Sequence, residues 1–156
     1  MADEISRIAG LDFASVTPDE FARTVKGLSG REIAGIARDG ALRARVLDEV
    51  FGRVERQFRP EAAGSLAALI RWTVTGVGGN PDVVYETLIA DGTCTVRAGR
   101  SEARPRVALT MADAEFLKLV SGNASPVVLF VTRKVRITGD LALAAGLARY
   151  FDIPKA

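Results

Sequence analysis

The side chains of this 156-residue chain that could move a proton or hold a metal are few, and their types exclude more than they allow. There is no histidine, and Cys94 is the only cysteine. The commonest general base, the usual metal ligand and every Ser-His or Cys-His nucleophile pair are therefore missing. One thiol forms neither an internal disulfide nor, within one chain, a thiolate metal cluster. Any chemistry would fall to carboxylates, Tyr, Lys or hydroxyls. Glu86 lies in the apolar run DVVYETLIADG beside Tyr85, and Asp113 and Glu115 stand at a helix start. A buried Glu86 with a raised pKa would suit acid–base work. The alternation around it points instead to the solvent face of an antiparallel strand. Cys94, inside TCTV, reads as a small core residue rather than a reactive thiol. The expectation is a protein that is not an enzyme, with no catalytic residue, no metal and no cofactor.

Two glycine-rich stretches imitate sites without meeting their requirements. GVGGNP (76–81) lacks the G-x-G-x-x-G spacing and precedes a strand, whereas a dinucleotide loop opens a helix whose N-terminus receives the pyrophosphate. GLSG (27–30) is not the G-x-S-x-G of a nucleophile elbow, and no G-x-x-x-x-G-K-[ST] occurs. The 21 basic residues nearly balance the 19 acidic ones, so charge gives no support to nucleic-acid binding. The opening MADEISRIAG has two acids and no apolar core of a secretory signal. No apolar run approaches the roughly 18 residues of a membrane span. These features predict a soluble, cytoplasmic protein, and NAS (123–125) then carries no weight as a glycosylation acceptor.

The elements that must position these residues divide the chain. Up to about residue 60 the pattern is helical. Thr17, Pro18 and Glu20 form a start signal, Ser29 and Glu32 repeat it, and Asp39-Gly40 marks a break. Leu42, Val46, Leu47, Val50, Phe51, Val54 and Phe58 then recur at three and four, predicting a helix of about five turns stopped by Arg59-Pro60. From Leu66 the period becomes two: Leu66, Ala68, Ile70, Trp72 and Val74 share one face, and Arg71, Thr73 and Thr75 the other. Two further strands join through Asp91-Gly92, a hairpin signal, and PRVALT makes a fourth. Thr110 is read as the cap of a helix carrying Phe116, Leu117, Leu119 and Val120, and Ser125-Pro126 opens another. KVRIT is the fifth strand, and Asp140 caps a last helix. The fold class expected is α+β: a five-stranded, mostly antiparallel sheet with helices on one face.

The last helix is unusual. LALAAGLA (141–148) has no polar face, and VVLFV (127–131) before it is a similarly unbroken apolar run. A helix that is apolar all round is covered on every side or borders an apolar space. The pattern alone leaves ordinary burial and an apolar cavity level.

The succession PRVALTMADAEFLKLVSGNASPVVLFVTRKVRITGDLALAAGLARYF resembles the sterol carrier protein type 2 family. Thr110, Met111, Asp113, Phe116, Gly122, Pro126, Phe130, Lys134, Ile137, Gly139 and Asp140 fall at matching positions, and the resemblance covers about residues 40–152. It implies a sheet covered by helices enclosing an apolar tunnel for fatty acids, acyl-CoA esters, sterols or similar lipids, and it implies no catalytic residues. Carried over by position, the implied wall is Phe116, Val120, Val127, Phe130, Val131, Val135, Ile137, Leu141, Ala144 and Leu147. Trp72 joins it by size and alternation. Two departures stand at Thr132 and Arg133, where the family commonly has Gln and Gly; an arginine at a tunnel rim would pair with a carboxylate or phosphate head. Residues 1–39 lie outside the resemblance as a helical extension to a lipid-binding domain of residues 40–156. The expected partner is a lipid or other hydrophobic small molecule, with room for transient membrane contact and for a homodimer. Two rival readings remain: an accessory factor or enzyme using Glu86, Tyr85 or Thr132 on a hydrophobic intermediate, and a dimerisation module that buries the last helix.

Overall fold

The computed structural model describes residues 17–77 and 79–151. Its first helices start where the sequence supplies caps. Thr17 accepts the Glu20 N–H at 3.1 Å, and Pro18 opens α1 (Pro18–Gly27). Ser29 and Glu32 cap each other's backbone at the head of α2 (Gly30–Arg38). Asp39 ends α2 and, by accepting the Leu42 N–H, starts α3 (Gly40–Arg56). The helix α3 stops at Gln57, short of Arg59-Pro60; Pro60 instead opens a single turn, α4 (Pro60–Ala63).

Five strands follow: β1 (Ala68–Thr75), β2 (Val83–Ala90), β3 (Thr93–Ala98), β4 (Val107–Ala112) and β5 (Val135–Gly139). Their order is β3-β2-β1-β4-β5, with β1 and β4 parallel and every other pair antiparallel. The first strand begins at Ala68, two residues later than the change of period at Leu66. Asp91 and Gly92 have φ of 53° and 72°, the paired positive values of a type I′ hairpin. The return from edge strand β3 to β4 runs beside Arg71, whose Nη2 donates to the carbonyls of Ser101 and Ala103 at 3.1 and 2.7 Å.

The C-terminal helices are short: α5 (Asp113–Val120), α6 (Pro126–Val131), α7 (Leu141–Ala145) and α8 (Leu147–Tyr150). Thr110 is not a cap. It stays in β4, and the N-cap of α5 is Ala112, with no side-chain bond. The apolar last helix is also not continuous, because it breaks at Gly146 into α7 and α8. Gly139 is needed where β5 ends: its φ is 97°, and a Cβ there would collide with the Arg106 carbonyl oxygen. Asp140 follows at once, caps α7 through the Leu143 N–H at 2.9 Å and pairs with Arg106 at 3.1 Å.

Ala68, Ile70, Trp72 and Val74 of β1 are buried in one core with Val46, Leu47, Val50, Phe51 and Val54 of α3. The Phe51 ring stacks on Tyr85 and Phe116, at centroid distances of 4.0 and 4.7 Å. Val25, Leu28, Ile33 and Ile36 join the same cluster, so α1 and α2 complete the core. Residues 1–16 of the expected extension lie outside the described residues.

A buried cation ties these layers together. Arg43 donates from Nε to both Asp113 oxygens at 3.0 and 3.2 Å, from Nη1 to Pro81 O at 2.8 Å, and from Nη2 to Val74 O and Thr75 O at 3.0 and 3.2 Å. A guanidinium tolerates burial only when its donors are used in this way.

Candidate ligand-binding cavity

A cavity of about 570 Å³ opens where the short helices meet the end of α3. Its wall combines Val54 of α3, Trp72 of β1, Leu119 and Val120 of α5, Pro126 and Val128 of α6, Leu147 of α8, and Phe151. The polar residues on the wall are Gln57, Arg59, Asn123 and Ser125. The far side is held by the C-terminal segment: Arg59 N–H donates to Tyr150 O at 2.7 Å, and the Phe58 and Phe151 rings lie 5.9 Å apart across a single β-bridge. Trp72 is oriented from behind, because its indole N–H donates to Thr87 Oγ1 at 3.0 Å.

Most polar groups here are already occupied. Asn123 donates to Ala22 O at 3.1 Å and to Ser121 Oγ at 2.8 Å, which links the rim to α1. Ser125 caps α6 by accepting the Val128 N–H. Gln57 differs. Its Nε2 is buried and has no hydrogen-bond partner among the described residues. A buried amide donor left without a partner costs about 1–3 kcal/mol, so it is an exception that asks for a reason.

The residues named from sequence separate into four groups. Trp72, Val120 and Leu147 line the cavity. Phe116 and Ala144 are fully buried behind it, in the core. Val135 and Ile137 line a different groove with Phe130, Val131 and Arg133, on the side of α6 toward β5. Val127, Phe130, Val131, Thr132, Arg133 and Leu141 are exposed. Thr132 Oγ1 donates to Val128 O at 2.7 Å, and Arg133 takes a left-handed φ of 61° at the turn into β5. Val54, Gln57, Leu119 and Phe151 were not read as site residues. Gln57 had a legible signal: it follows Val50 and Val54 at helical spacing, a polar residue on an apolar stripe.

The three groups that could have carried chemistry do not converge. Glu86 does not face solvent as the strand pattern suggested; it is buried, with Arg71 Nε donating to its Oε2 at 2.7 Å and the Ser101 N–H to its Oε1 at 3.1 Å. Burial pushes its carboxyl up, but hydrogen bonds from Ser101 and Arg71 and the charge of Arg71 outweigh this and hold it below the ordinary value. Burial pushes the Tyr85 phenol up to about 12, helped by Asp48, on which its hydroxyl rests at 3.3 Å. The half-buried Cys94 thiol is likewise pushed up to about 12 by burial and by Glu55. Among the described residues, no group of three or more His, Cys, Asp or Glu is placed to hold a metal ion, and no helix is long and apolar enough to cross a membrane.

Comparison with known proteins agrees with this architecture. Hydroxysteroid dehydrogenase-like protein 2 of Xenopus tropicalis is 24% identical over 140 residues, which cover 88% of this chain and 33% of that protein. The chain thus spans about a third of the length of that relative. Among solved structures, the inverting sec-alkylsulfatase Pisa1 from Pseudomonas sp. superposes with a TM-score of 0.55 at 14% identity, over 65% of this chain and 16% of that one. Palmitated SCP2L2 from Aedes aegypti superposes with a TM-score of 0.51 at 17% identity, over 64% of this chain and 87% of that one. Such identities speak for the fold. The sequence model of the SCP-2 sterol transfer family matches residues 48–152, from the second half of α3 past the end of α8, and the chain belongs to that family.

Proposed function

We propose that the protein binds and carries a hydrophobic molecule with a polar, hydrogen-bond-accepting head, and that the cavity between α3, α5, α6 and α8 is its site. The observation that carries this reading is an apolar cavity of about 570 Å³ with Gln57 on its wall, whose buried Nε2 has no hydrogen-bond partner among the described residues. That volume lies within the roughly 300–1,000 Å³ usual for small-molecule sites. Moving a chain or ring system from water onto Val54, Trp72, Val120, Leu147 and Phe151 supplies about 25 cal/mol per Å² buried. The Gln57 amide on this apolar wall favours a head that accepts hydrogen bonds, above all a carboxylate. Fatty acids meet this description, and acyl-CoA esters and sterols are the wider class. The palmitated relative from Aedes aegypti supports the choice.

The test is titration of delipidated protein with a fluorescent fatty acid in vesicle-free buffer, together with organic extraction and mass spectrometry of undelipidated protein. Saturable binding at micromolar concentration or below, with a stoichiometric lipid in the extract, is expected. Clean extracts and no binding across lipid classes would refute the reading. A second reading has one observation behind it, the match to a third of hydroxysteroid dehydrogenase-like protein 2. In that reading the domain of this chain would present a hydrophobic intermediate to an enzyme. Since neither Tyr85, Glu86 nor Thr132 lines the cavity, the reacting groups would come from elsewhere.

A further inference from the structure

We propose that α6 and the start of β5 form a docking surface for an anionic lipid bilayer, and that docking sets the cavity wall at α6 against the membrane. The helix reads PVVLFV, yet only Pro126 and Leu129, three residues apart, are buried. Val127, Val128, Phe130 and Val131 are 51%, 56%, 42% and 71% exposed, and Leu141 at the head of the adjoining α7 is 49% exposed. These are five of the seven large apolar side chains exposed among the described residues. The patch is therefore concentrated, unlike the scattered apolar residues of an ordinary surface.

Charge identifies the occupant. From Phe116 to Gly139 the sequence contains no acidic residue, while Arg133, Lys134 and Arg136 follow the apolar helix directly. All three are exposed, and none makes an ion pair among the described residues. Arg133, Lys134 and Arg136 line one groove with Phe130 and Val131, so the cations border the apolar side chains. A second copy meeting this surface through a two-fold axis would bring cations to a patch whose adjoining acid, Asp140 beside Leu141, is already paired with Arg106, which is unfavourable. Apolar side chains edged by basic ones match instead the layering of a bilayer whose head groups are anionic. Pro126 and the exposed Val128 of the same helix line the cavity, so a membrane at this surface lies against its wall. This last step rests on the cavity reading above; the docking surface itself does not.

The experiment uses the full delipidated chain in vesicle flotation, with phosphatidylcholine vesicles and with vesicles that also contain phosphatidylserine. Flotation with the anionic vesicles, weakened by salt, is expected. Lys134→Glu/Arg136→Glu is expected to lower partitioning at least about tenfold while fatty-acid binding in vesicle-free buffer persists. Val127→Ser/Val131→Ser, with the fold checked by circular dichroism, removes the inserting side chains and is expected to lower it as well. A chain that floats but takes no fatty acid in free solution keeps the docking surface and refutes the cavity reading. A chain that takes fatty acid yet ignores both vesicles, or floats equally with neutral ones, overturns the docking proposal. So does a dimer detected by light scattering that Val127→Ser/Val131→Ser dissolves, because the patch would then belong to a second copy.

Discussion

Replacing Gln57 by Leu separates the stability of the empty protein from its affinity, and the two are expected to move in opposite directions. The Gln57 Nε2 is buried without a hydrogen-bond partner among the described residues. Such a group costs about 1–3 kcal/mol. Leucine has a similar length and nearly the same helix propensity, and the wall around it, Val54, Trp72 and Leu147, is apolar. Gln57→Leu should therefore stabilise the delipidated protein by about 1 kcal/mol or more. In a chain of this size each kcal/mol raises Tm by about 2–4 °C. A hydrogen bond to a carboxylate contributes about 1.5–3 kcal/mol, so fatty-acid affinity should fall roughly tenfold to a hundredfold. The assay is thermal unfolding and fatty-acid titration on protein stripped of lipid, since bound lipid would raise Tm by mass action. A fatty alcohol, with a weaker acceptor, should lose less affinity than the acid. A lower Tm for empty Gln57→Leu, or an unchanged affinity for the acid, would show that the amide is satisfied otherwise and that the head does not sit there.

Arg43→Met leaves the Asp113 carboxylate, whose side chain is 4% exposed, without its cation. Urea unfolding should show a loss of about 3–5 kcal/mol, most of it regained in Arg43→Met/Asp113→Leu. Glu86 has a folded-state pKa below its ordinary value of 4.5, so its contribution is fully present above that value and is lost as pH falls through the lower, folded one. The gap in urea midpoint between wild type and Glu86→Gln should accordingly narrow below pH 4.5, and a constant gap would contradict the ion pair. Trp72 is the only tryptophan and lines the cavity, so its emission should shift with ligand binding and saturate with the fatty-acid titration. Amide hydrogen exchange should be faster in α6, which buries two side chains, than in α3, which buries eight, and ligand should slow it in α6.

Local signals were legible because their partners lie within a few residues. Thr17, Ser29 and Asp140 cap the helices that follow them, and Asp91-Gly92 makes the turn its two positive φ values require. The errors arise where a distant partner intervenes. Thr110 and Asp113 have the spacing of a cap, but Asp113 is held by Arg43, 70 residues away, and β4 runs on to Ala112. Alternation placed Glu86 on the solvent face of its strand, and the β1–β2 register sets it across from Arg71. Its burial depends on Ser101 and on the Arg71 guanidinium, which a strand pattern cannot reveal. The cavity is similar: Trp72, Val120 and Leu147 were legible from size or motif position, whereas Phe151 enters through its bridge to Phe58.

The continuous apolar runs of the last third acquire a physical explanation from helix length. With 17 residues, α3 is about 25 Å long at 1.5 Å per residue and can lay one unbroken stripe along the sheet. The helices α6, α7 and α8 have six, five and four residues, so each presents little more than a turn. Short helices cannot share one stripe, and neighbouring turns must each bring their own apolar side chains to the sheet. In α6 the sequence supplies more than that: Pro126 and Leu129 suffice for burial, Val128 reaches the cavity wall, and Val127, Phe130 and Val131 remain outside. A soluble face would have been made by exchanging those three for polar residues, at little cost to the core. Their retention beside Arg133, Lys134 and Arg136 makes α6 both a wall of the cavity and the apolar surface nearest to it. A lipid moving between membrane and cavity past this helix would cross a single layer of side chains, so Val128, exposed and on the wall, is the position at which loading rate and affinity should separate.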